Sequence, residues 1–265
     1  MGTILDELAA HAHERVKAAK KRCPLEKMRE MAIAAAGAEP DGRRFLFERR
    51  LARPGMNFIL ECKKASPSKG LIAPDFPYLA IAKEYEAAGA AAISVLTEPK
   101  WFLGSDEYLK EIAEAVRVPV LRKDFTVDPY MIYEAKVLGA GAVLLICSLL
   151  PEETIEVYIR IADSLGMSSL VEAHDAAELK KAVSAGARVI GVNNRNLKDF
   201  SVDIHNSIRL RELAPKDTLF VAESGIRTAA DVSELRKHGV NGVLIGETIM
   251  RAPDRRKALY ELGGE

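Results

Sequence analysis

Short apolar runs rich in Val, Ile and Leu recur along the chain, and charged stretches with helical spacing separate them. The runs start roughly 20 to 35 residues apart, which is the length of a strand, a loop, a helix and a return loop. Their near-continuous apolar character is typical of strands that are buried on both faces of a parallel sheet. Eight such runs cover residues 58–61, 91–96, 118–123, 142–147, 168–173, 188–193, 218–223 and 242–246.

Several of the helical stretches end on a glycine just before the next strand, namely Gly89, Gly139, Gly186 and Gly239. Glycine at this position is typical of a left-handed helix C-cap. Eight strand–helix units predict an α/β fold, a (β/α)8 TIM barrel with an N-terminal helical extension. A doubly wound open sheet is the structural alternative, but no GxGxxG motif follows the first strand and eight units favour closure.

The segment before the first strand carries helical patterning of its own. Helices are predicted near residues 3–20, 24–36 and 42–51, the first of them amphipathic. We therefore expect residues 1–52 to form a helical extension packed on a barrel of residues 53–265. The two parts together would make a single structural domain overall.

Composition and charge exclude several classes of partner. The 265 residues include 38 basic and 38 acidic side chains, a balance that argues against nucleic acid. No run approaches the roughly 18 apolar residues of a membrane span, and the N-terminus lacks the apolar segment of a signal peptide. Three cysteines without a CxxC pair suit a reducing compartment. We expect a cytoplasmic protein without membrane partners, either a monomer or a weak homo-oligomer.

Polar side chains stand where the predicted strands end. In a TIM barrel the chemistry lies at this C-terminal face, so these residues are the candidates for a site. Ordinary strand-end charges that are solvated by loops are the alternative. The candidates are Glu61 and Lys63 after the first strand, Lys123 after the third, Glu172 after the fifth, Asn193 and Arg195 after the sixth, and Glu223 and Ser224 after the seventh.

Strand parity sharpens this prediction. Side chains alternate along a strand, so Glu61 and Lys63 share one face while Cys62 and Lys64 share the other. If Glu61 faces the barrel mouth, Lys63 does too. Three carboxylates and two lysines would then converge, and buried charges must be paired or they neutralise. Such an arrangement shifts pKa values towards acid–base chemistry.

A phosphate site is predicted after the last two strands. Ser224 and Gly225 precede one helix, and Gly246 and Glu247 begin another. Glycines allow close backbone approach, and helix N-termini present N–H donors to anions. The alternative is that these glycines only turn the chain. The partner implied is a phosphorylated small molecule.

Two further segments have both a functional and a structural interpretation. The long loop 65–78, which contains Ser66, is either a lid over substrate or a solvated loop. Trp101, Phe102 and Phe125 either wall an aromatic substrate or anchor the packing. His174 follows Glu172 too closely in sequence to make a metal pair, and neither HExxH nor a nucleophile elbow occurs.

Six motifs are specific to a known family: FILECKKASPSKG, SVLTEPKWFLGS, LRKDFTVDPYMIYEA, GVNNRNL, VAESGI and VLIGETIMR. With them the chain resembles the indole-3-glycerol phosphate synthase family over nearly all of its length. The resemblance implies a carboxy-lyase of tryptophan biosynthesis. It would close the indole ring of 1-(2-carboxyphenylamino)-1-deoxyribulose 5-phosphate and release carbon dioxide and water. It also implies that neither a metal nor an organic cofactor is needed.

The resemblance also implies catalytic roles. Lys123 matches the acid that protonates the ribulose carbonyl, with a pKa that neighbouring charges hold within working range. Lys63 matches the cation that binds the substrate carboxylate before it leaves. Glu172 matches the acid–base group of the dehydration, with Lys63 as a possible partner. Glu61 and Asn193 would hydrogen-bond the sugar hydroxyls and orient the lysines.

Binding roles are implied for the remaining candidates. Glu223 would support the charge network, and Arg195 and Ser66 would contact substrate anions. The backbone around Ser224, Gly225, Gly246 and Glu247 matches the phosphate site.

Two other functions stay open. Phosphoribosylanthranilate isomerase, a neighbouring barrel enzyme, would show a cysteine base and an aspartate acid at strand ends. An inactive barrel that serves as a scaffold is the non-enzymatic alternative, although it would have no reason to keep buried charges that cost stability.

Overall fold

A computed structural model describes residues 4–196 and 200–264 of the chain. Eight parallel strands close into a barrel, each pairing with the next and the last with the first. This confirms the predicted TIM barrel. The strands are β1 Asn57–Cys62, β2 Ala92–Leu96, β3 Val120–Lys123, β4 Ala142–Ile146, β5 Ser168–Ala173, β6 Val189–Asn193, β7 Leu219–Glu223 and β8 Gly242–Ile245.

Helices follow the strands, and three precede the barrel as predicted. No helix within the described ranges has both the length and the apolar character needed to cross a membrane. The helices are α1 Ile4–Arg22, α2 Leu25–Ala38, α3 Leu46–Leu51, α4 Tyr78–Ala87, α5 Asp106–Ala115, α6 Pro129–Val137, α7 Glu152–Ser164, α8 Ala176–Ser184, α9 His205–Leu213, α10 Ala229–Lys237, α11 Glu247–Met250 and α12 Arg255–Gly263.

The third predicted helix, 42–51, is wrong in its first half. A 3-10 turn at Asp41–Arg43 is separated from α3 by Arg44 and Phe45, and the φ of Phe45 is 51°. The N–H of Phe45 donates to the carbonyl of Gly166 at 2.9 Å, which takes this residue out of the helical path. The ends of the other helices and strands differ from the prediction by a few residues. Residue 3, in the first predicted helix, and residue 197, in the motif GVNNRNL, lie outside the described ranges. The predicted glycine C-caps all have positive φ: Gly89, Gly139, Gly186 and Gly239.

Alternate strand residues face the barrel interior, and those towards its N-terminal end are apolar. Ile59, Leu121 and Leu170 belong to this inner cluster, and Phe47 and Leu51 of α3 pack against it. A Cβ at position 242 would lie 2.9 Å from Cδ2 of Leu51, so glycine there leaves room for α3. The extension therefore closes one end of the barrel.

Helix α1 lies at the opposite end, over the loops that follow the strands. Arg15 donates to both carboxylate oxygens of Asp124, directly after β3, at 2.6 and 3.0 Å. His11, one turn earlier, lies 3.0 Å from Glu98 in the loop after β2. One segment of the chain thus contacts both ends of the barrel.

We expect Phe47→Ala to lower the free energy of unfolding by about 3–5 kcal/mol, because Phe47 is fully buried and its loss leaves a cavity. Urea unfolding followed by circular dichroism measures this. Leu213→Ala is the control, since Leu213 is 64% exposed. A loss for Phe47→Ala as small as that of the control would contradict the role given to α3.

We propose that residues 1–52 and the barrel of residues 53–265 unfold as a single structural domain, because the extension is anchored at both barrel ends. Trp101 is the one tryptophan of the sequence, and its ring centroid lies 5.4 Å from that of His11 on α1. Its fluorescence should therefore change in the same urea transition as the far-ultraviolet circular dichroism. An earlier fluorescence transition would show that the extension detaches first.

Candidate functional site

A cavity of about 410 Å³ opens at the C-terminal end of the barrel. The predicted site residues, which come from the ends of seven of the eight strands and the loops that follow them, line it. They are Glu61, Lys63, Ser66, Phe102, Lys123, Phe125, Glu172, Asn193, Arg195, Glu223, Ser224, Gly225, Gly246 and Glu247.

Lys123 joins two carboxylates within the cavity. Its Nζ lies 2.9 Å from Oε2 of Glu172 and 2.7 Å from Oε2 of Glu223. Asn193, on the strand between these two glutamates, donates from Nδ2 to Oε1 of Glu172 at 3.4 Å. The backbone N–H of Arg195 donates to Oδ1 of Asn193 at 3.0 Å, which fixes the orientation of the amide.

Glu61 and Lys63 form a second ion pair, as strand parity predicts. Glu61 is buried on the interior side of β1, while Cys62 is buried on the other side among the helices. A Cβ at position 246 would collide with Oε2 of Glu61, and one at position 191 would collide with Oε1 of Glu223. Glycines on neighbouring strands therefore make room for both carboxylates.

The two glutamates that share Lys123 have opposite pKa shifts. Burial alone would raise the pKa of Glu172, but the charges of Lys123 and His174 and the hydrogen bonds from Lys123 and Asn193 together outweigh burial and lower this pKa to about 2. Burial and the charge of Glu172 raise the pKa of Glu223 to about 7 despite the attraction of Lys123. A single cation stabilises one carboxylate of such a pair more than the other.

The pKa of Lys123 itself differs from the expectation. Burial disfavours the ammonium, but the carboxylates of Glu172, Glu223 and Glu61 outweigh burial and raise the pKa of Lys123 above its ordinary value. The surrounding charges therefore do not bring this lysine towards neutrality. They keep it protonated.

The turns after β7 and β8 lie side by side. Ser224 and Gly225 have φ values of 67° and 85°, so two successive residues adopt the left-handed conformation. Oγ1 of Thr248 donates to the carbonyl of Ile226 at 3.0 Å and ties the turns together. The carboxylate of Glu247 is held by Arg251 at 3.2 Å.

The opposite wall of the cavity is apolar. Phe102 and Phe125 lie with ring centroids 6.0 Å apart. Ile4, Leu5 and Leu8 of α1 also line the cavity. Trp101 is not among the lining residues, and its ring contacts His11 instead. Of the two interpretations of Trp101, its contact with His11 favours the packing anchor, whereas Phe102 and Phe125 face the cavity.

Loop 65–78 has a structure that its sequence pattern does not predict. Ala65–Ser66 and Gly70–Leu71 form a short antiparallel hairpin. The backbone N–H groups of Ile72 and Ala73 both donate to the carbonyl of Lys64, at 2.8 and 3.1 Å. Lys69, at the turn, lies 3.8 Å from Glu247. The loop thus contacts the neighbouring turn after β8 at the edge of the cavity, and its function as a lid stays a prediction.

Arg15 and Glu98, which help attach α1 to the site, are not among the residues predicted from the sequence, whereas Asp124 is a polar residue at the end of the third predicted strand. Glu98 is fully buried and accepts hydrogen bonds from the backbone N–H groups of Lys100, Trp101 and Phe102, at 2.7–3.1 Å. It thereby shapes the loop that carries Phe102. The pKa of Asp124 is lowered although it is buried, because Arg15, Arg122 and the hydrogen bond from Thr97 together outweigh the burial. The only sequence signal for this attachment is the apolar stripe of α1. The stripe predicts that α1 packs on the barrel but not which part of the barrel the helix covers.

The fold and the site define a class of protein: a TIM barrel with a buried, paired charge network at the C-terminal face is an enzyme scaffold. Comparisons narrow this to one family. The family model described as indole-3-glycerol phosphate synthase matches residues 5–262. The chain therefore belongs to the indole-3-glycerol phosphate synthase family, whose members are carboxy-lyases of tryptophan biosynthesis that act on a phosphorylated small molecule.

Relatives of the same name resemble the chain over nearly its whole length. An indole-3-glycerol phosphate synthase from Ruminiclostridium cellulolyticum is 57% identical over 261 residues, covering 98% of this chain and 99% of the relative. One from Lachnoclostridium phytofermentans is 50% identical over 266 residues, covering 98% of each. The 3-hexulose-6-phosphate synthase of Salmonella typhimurium is 17% identical with a TM-score of 0.64, covering 79% of this chain and 97% of that chain. This last likeness shows the fold alone.

The raised pKa of Glu223 predicts a pH-dependent contribution to stability. An ordinary glutamate has a pKa of about 4.3 in the unfolded chain, so between that value and about 7 the native state binds more protons at this site. The free energy of unfolding should therefore fall as pH rises through this window. In Glu223→Gln this part of the decline should be absent, as measured by urea unfolding at several pH values.

Glu261→Gln, at an exposed position of α12, is the matched control and should keep the wild-type pH dependence. Parallel pH profiles for the wild type and Glu223→Gln would contradict the assignment.

Proposed function

We propose that the chain converts 1-(2-carboxyphenylamino)-1-deoxy-D-ribulose 5-phosphate to indole-3-glycerol phosphate, carbon dioxide and water by Lys/Glu general acid–base catalysis. The observation that carries this proposal is the Lys123 ammonium, which lies within 3 Å of both Glu172 and Glu223 in the cavity. An acid and a base in contact are what ring closure followed by dehydration requires.

The two sides of the cavity suit the two ends of this substrate. The aryl ring would lie against Phe102, Phe125 and the apolar residues of α1. The phosphate would bind between the turns after β7 and β8, where the backbone around Gly225 and Gly246 allows close approach. Ser224 would contribute to this site, as would the backbone N–H of Glu247. The carboxylate of Glu247 contacts Arg251, which supports a backbone role for this residue.

Ring closure would use the two lysines. Lys63 would bind the substrate carboxylate, and Arg195 and Ser66 would contact its anionic groups. The aryl carbon that carries the carboxylate attacks the ribulose carbonyl carbon while Lys123 protonates the carbonyl oxygen. Because the pKa of Lys123 is raised, the transfer would occur as negative charge develops on that oxygen. The carboxylate then leaves as carbon dioxide, and its bonding electrons restore the aromatic ring.

Dehydration would use Glu172 as the base. It removes a proton from the ring carbon next to the nitrogen, while an acid protonates the departing hydroxyl and water leaves. Glu61 and Asn193 would orient the sugar hydroxyls, and Glu223 would support Lys123. The former carbonyl oxygen gains two protons before it leaves as water, and the ring carbon next to the nitrogen loses one. Each turnover therefore consumes one proton. This balance matches the loss of a carboxylate charge as neutral carbon dioxide.

The isomerase alternative has less support from the site. Its chemistry requires a cysteine base, and Cys62, at the end of β1, is buried among the helices. Burial raises the pKa of the Cys62 thiol, which disfavours the thiolate.

We also propose that the protein works in the cytoplasm as a monomer or a weak homo-oligomer. The candidate residues all come from one chain, so the cavity needs no second copy to be complete. The three cysteines are free, in keeping with a reducing compartment.

The purified chain mixed with the carboxyphenylamino-deoxyribulose phosphate should produce indole fluorescence, with equal rates in the presence and absence of a chelator. Lys123→Met should lower kcat by roughly 10²–10⁴-fold, since it removes the proposed acid, while substrate still binds. Stopped-flow fluorescence measures turnover, and calorimetry measures binding.

Lys237→Met is the matched control, because Lys237 is largely exposed on α10, and it should turn over as the wild type does. Normal turnover by Lys123→Met would exclude Lys123 as the acid. Binding without turnover in the wild type would favour the scaffold alternative.

A further inference from the structure

His174 lies directly after β5, between two carboxylates. Its Nε2 lies 3.4 Å from Oε1 of Glu172, and its Nδ1 lies 3.0 Å from Oε2 of Glu178 on α8. Nε2 is buried and makes no hydrogen bond within the described residues. The ring therefore has one nitrogen directed at the proposed base and the other at a residue nearer the surface.

The position of the ring is fixed from two helices. Glu178 accepts a second hydrogen bond from the backbone N–H of His174 at 2.8 Å. Asn206 of α9 donates to the carbonyl of His174 at 3.0 Å. The side chains of His174 and Glu178 are 17% and 18% exposed, against 4% for Glu172. The three residues form a chain that leads from solvent to the buried carboxylate.

Several charged groups act on His174. Burial disfavours the imidazolium, but Glu178 on α8, Glu172 on β5 and Glu223 on β7 outweigh burial and raise its pKa. Asn206, from α9, is neutral, and Lys123 lies beyond Glu172. His174 thus takes up a proton more readily than an exposed histidine, while Glu172 holds one less readily than an ordinary glutamate.

The proposed reaction requires a supply of protons that Glu178, His174 and Glu172 could deliver from solvent. Each turnover consumes one proton, and the side chains of the proposed acid and base are only 12% and 4% exposed. Lys123 loses its proton at ring closure, before Glu172 has taken one from carbon. To serve again as the acid that protonates the departing hydroxyl, Lys123 needs a solvent proton between the two steps, and Glu172, at 2.9 Å, is in position to pass it on.

We propose that His174 is a positioning residue that acts through Glu172 and returns protons from solvent to the Lys123–Glu172 pair. This inference rests on the proposed function. The imidazolium gives its Nε2 proton to Oε1 of the ionised Glu172. Rotation about the Cγ–Cδ bond turns this protonated oxygen towards Lys123, and the same proton passes to the neutral amine. Solvent beside Glu178 then reprotonates the imidazole. One solvent proton ends on Lys123, and no other bond changes.

The test is the kcat of His174→Gln against pH and buffer. We expect kcat to fall about tenfold, less than for a group that acts on substrate directly, with KM within about twofold of the wild type. The loss should grow at alkaline pH, where solvent protons are scarce. Added imidazole should restore kcat in the variant and leave the wild type unchanged, because a small buffer can replace the missing relay.

His238→Gln is the matched control. His238 also contacts a glutamate four residues away, Glu234 on α10, and it is not among the residues that line the cavity. Its variant should keep wild-type kcat with no response to imidazole. An unchanged kcat in His174→Gln would overturn the proposal. So would a lowered kcat that responds to neither pH nor imidazole, since that result indicates a purely structural role.

A second variant covers the case in which His174→Gln fails to fold. Glu178→Gln keeps His174 but removes the outer carboxylate, so the pKa of His174 measured by NMR should fall and kcat should fall with it at alkaline pH. If neither the pKa of His174 nor kcat at alkaline pH falls in this variant, the proposal is overturned. Failure of the proposed function looks different, because the wild type itself would then show no turnover.

Discussion

The pairing of Lys123 with two glutamates is the interaction on which the site depends. A charge buried at the mouth of a barrel is costly unless opposite charges meet it. β3, β5 and β7 are alternate strands of the barrel, and their inward-facing terminal residues are Lys123, Glu172 and Glu223. The ion pair therefore forms only in the closed, correctly registered barrel.

The cavity depends also on helix α1, in the helical segment at the start of the chain. Arg15 satisfies Asp124, the neighbour of Lys123, and His11 contacts Glu98, which holds the backbone of the loop that bears Phe102. The same helix lines the apolar wall. Folding of α1 onto the barrel thus completes the cavity and positions both aromatic rings. Recognition of the proposed substrate and the stability of the extension would therefore depend on the same contacts.

The features that follow from periodicity are predictable from the sequence. A parallel barrel has one chemical face, and alternation within a strand is enough to place Glu61 and Lys63 on the same side of β1. Prediction fails where tertiary contacts override local pattern. Phe45 leaves the helical path for a hydrogen bond to Gly166, which is distant in sequence, and Trp101 turns to α1. The pKa of Lys123 depends on its distances from three carboxylates, and only the folded barrel sets those distances.

The opposite pKa shifts of the two glutamates would explain how an acidic site accepts the proposed anionic substrate. Glu61, Glu172 and Glu223 against Lys63 and Lys123 give a formal charge of −3 + 2 = −1, which would repel a carboxylate and a phosphate. With the proposed substrate, Glu223, whose pKa is raised to about 7 by burial and by Glu172, is the member expected to gain a proton as negative charge arrives. Protonation there makes the cluster neutral and leaves Glu172 ionised beside Lys123. Glu172, the proposed base, thus stays ionised, because Glu223 on the other side of Lys123 is the carboxylate that takes up the proton.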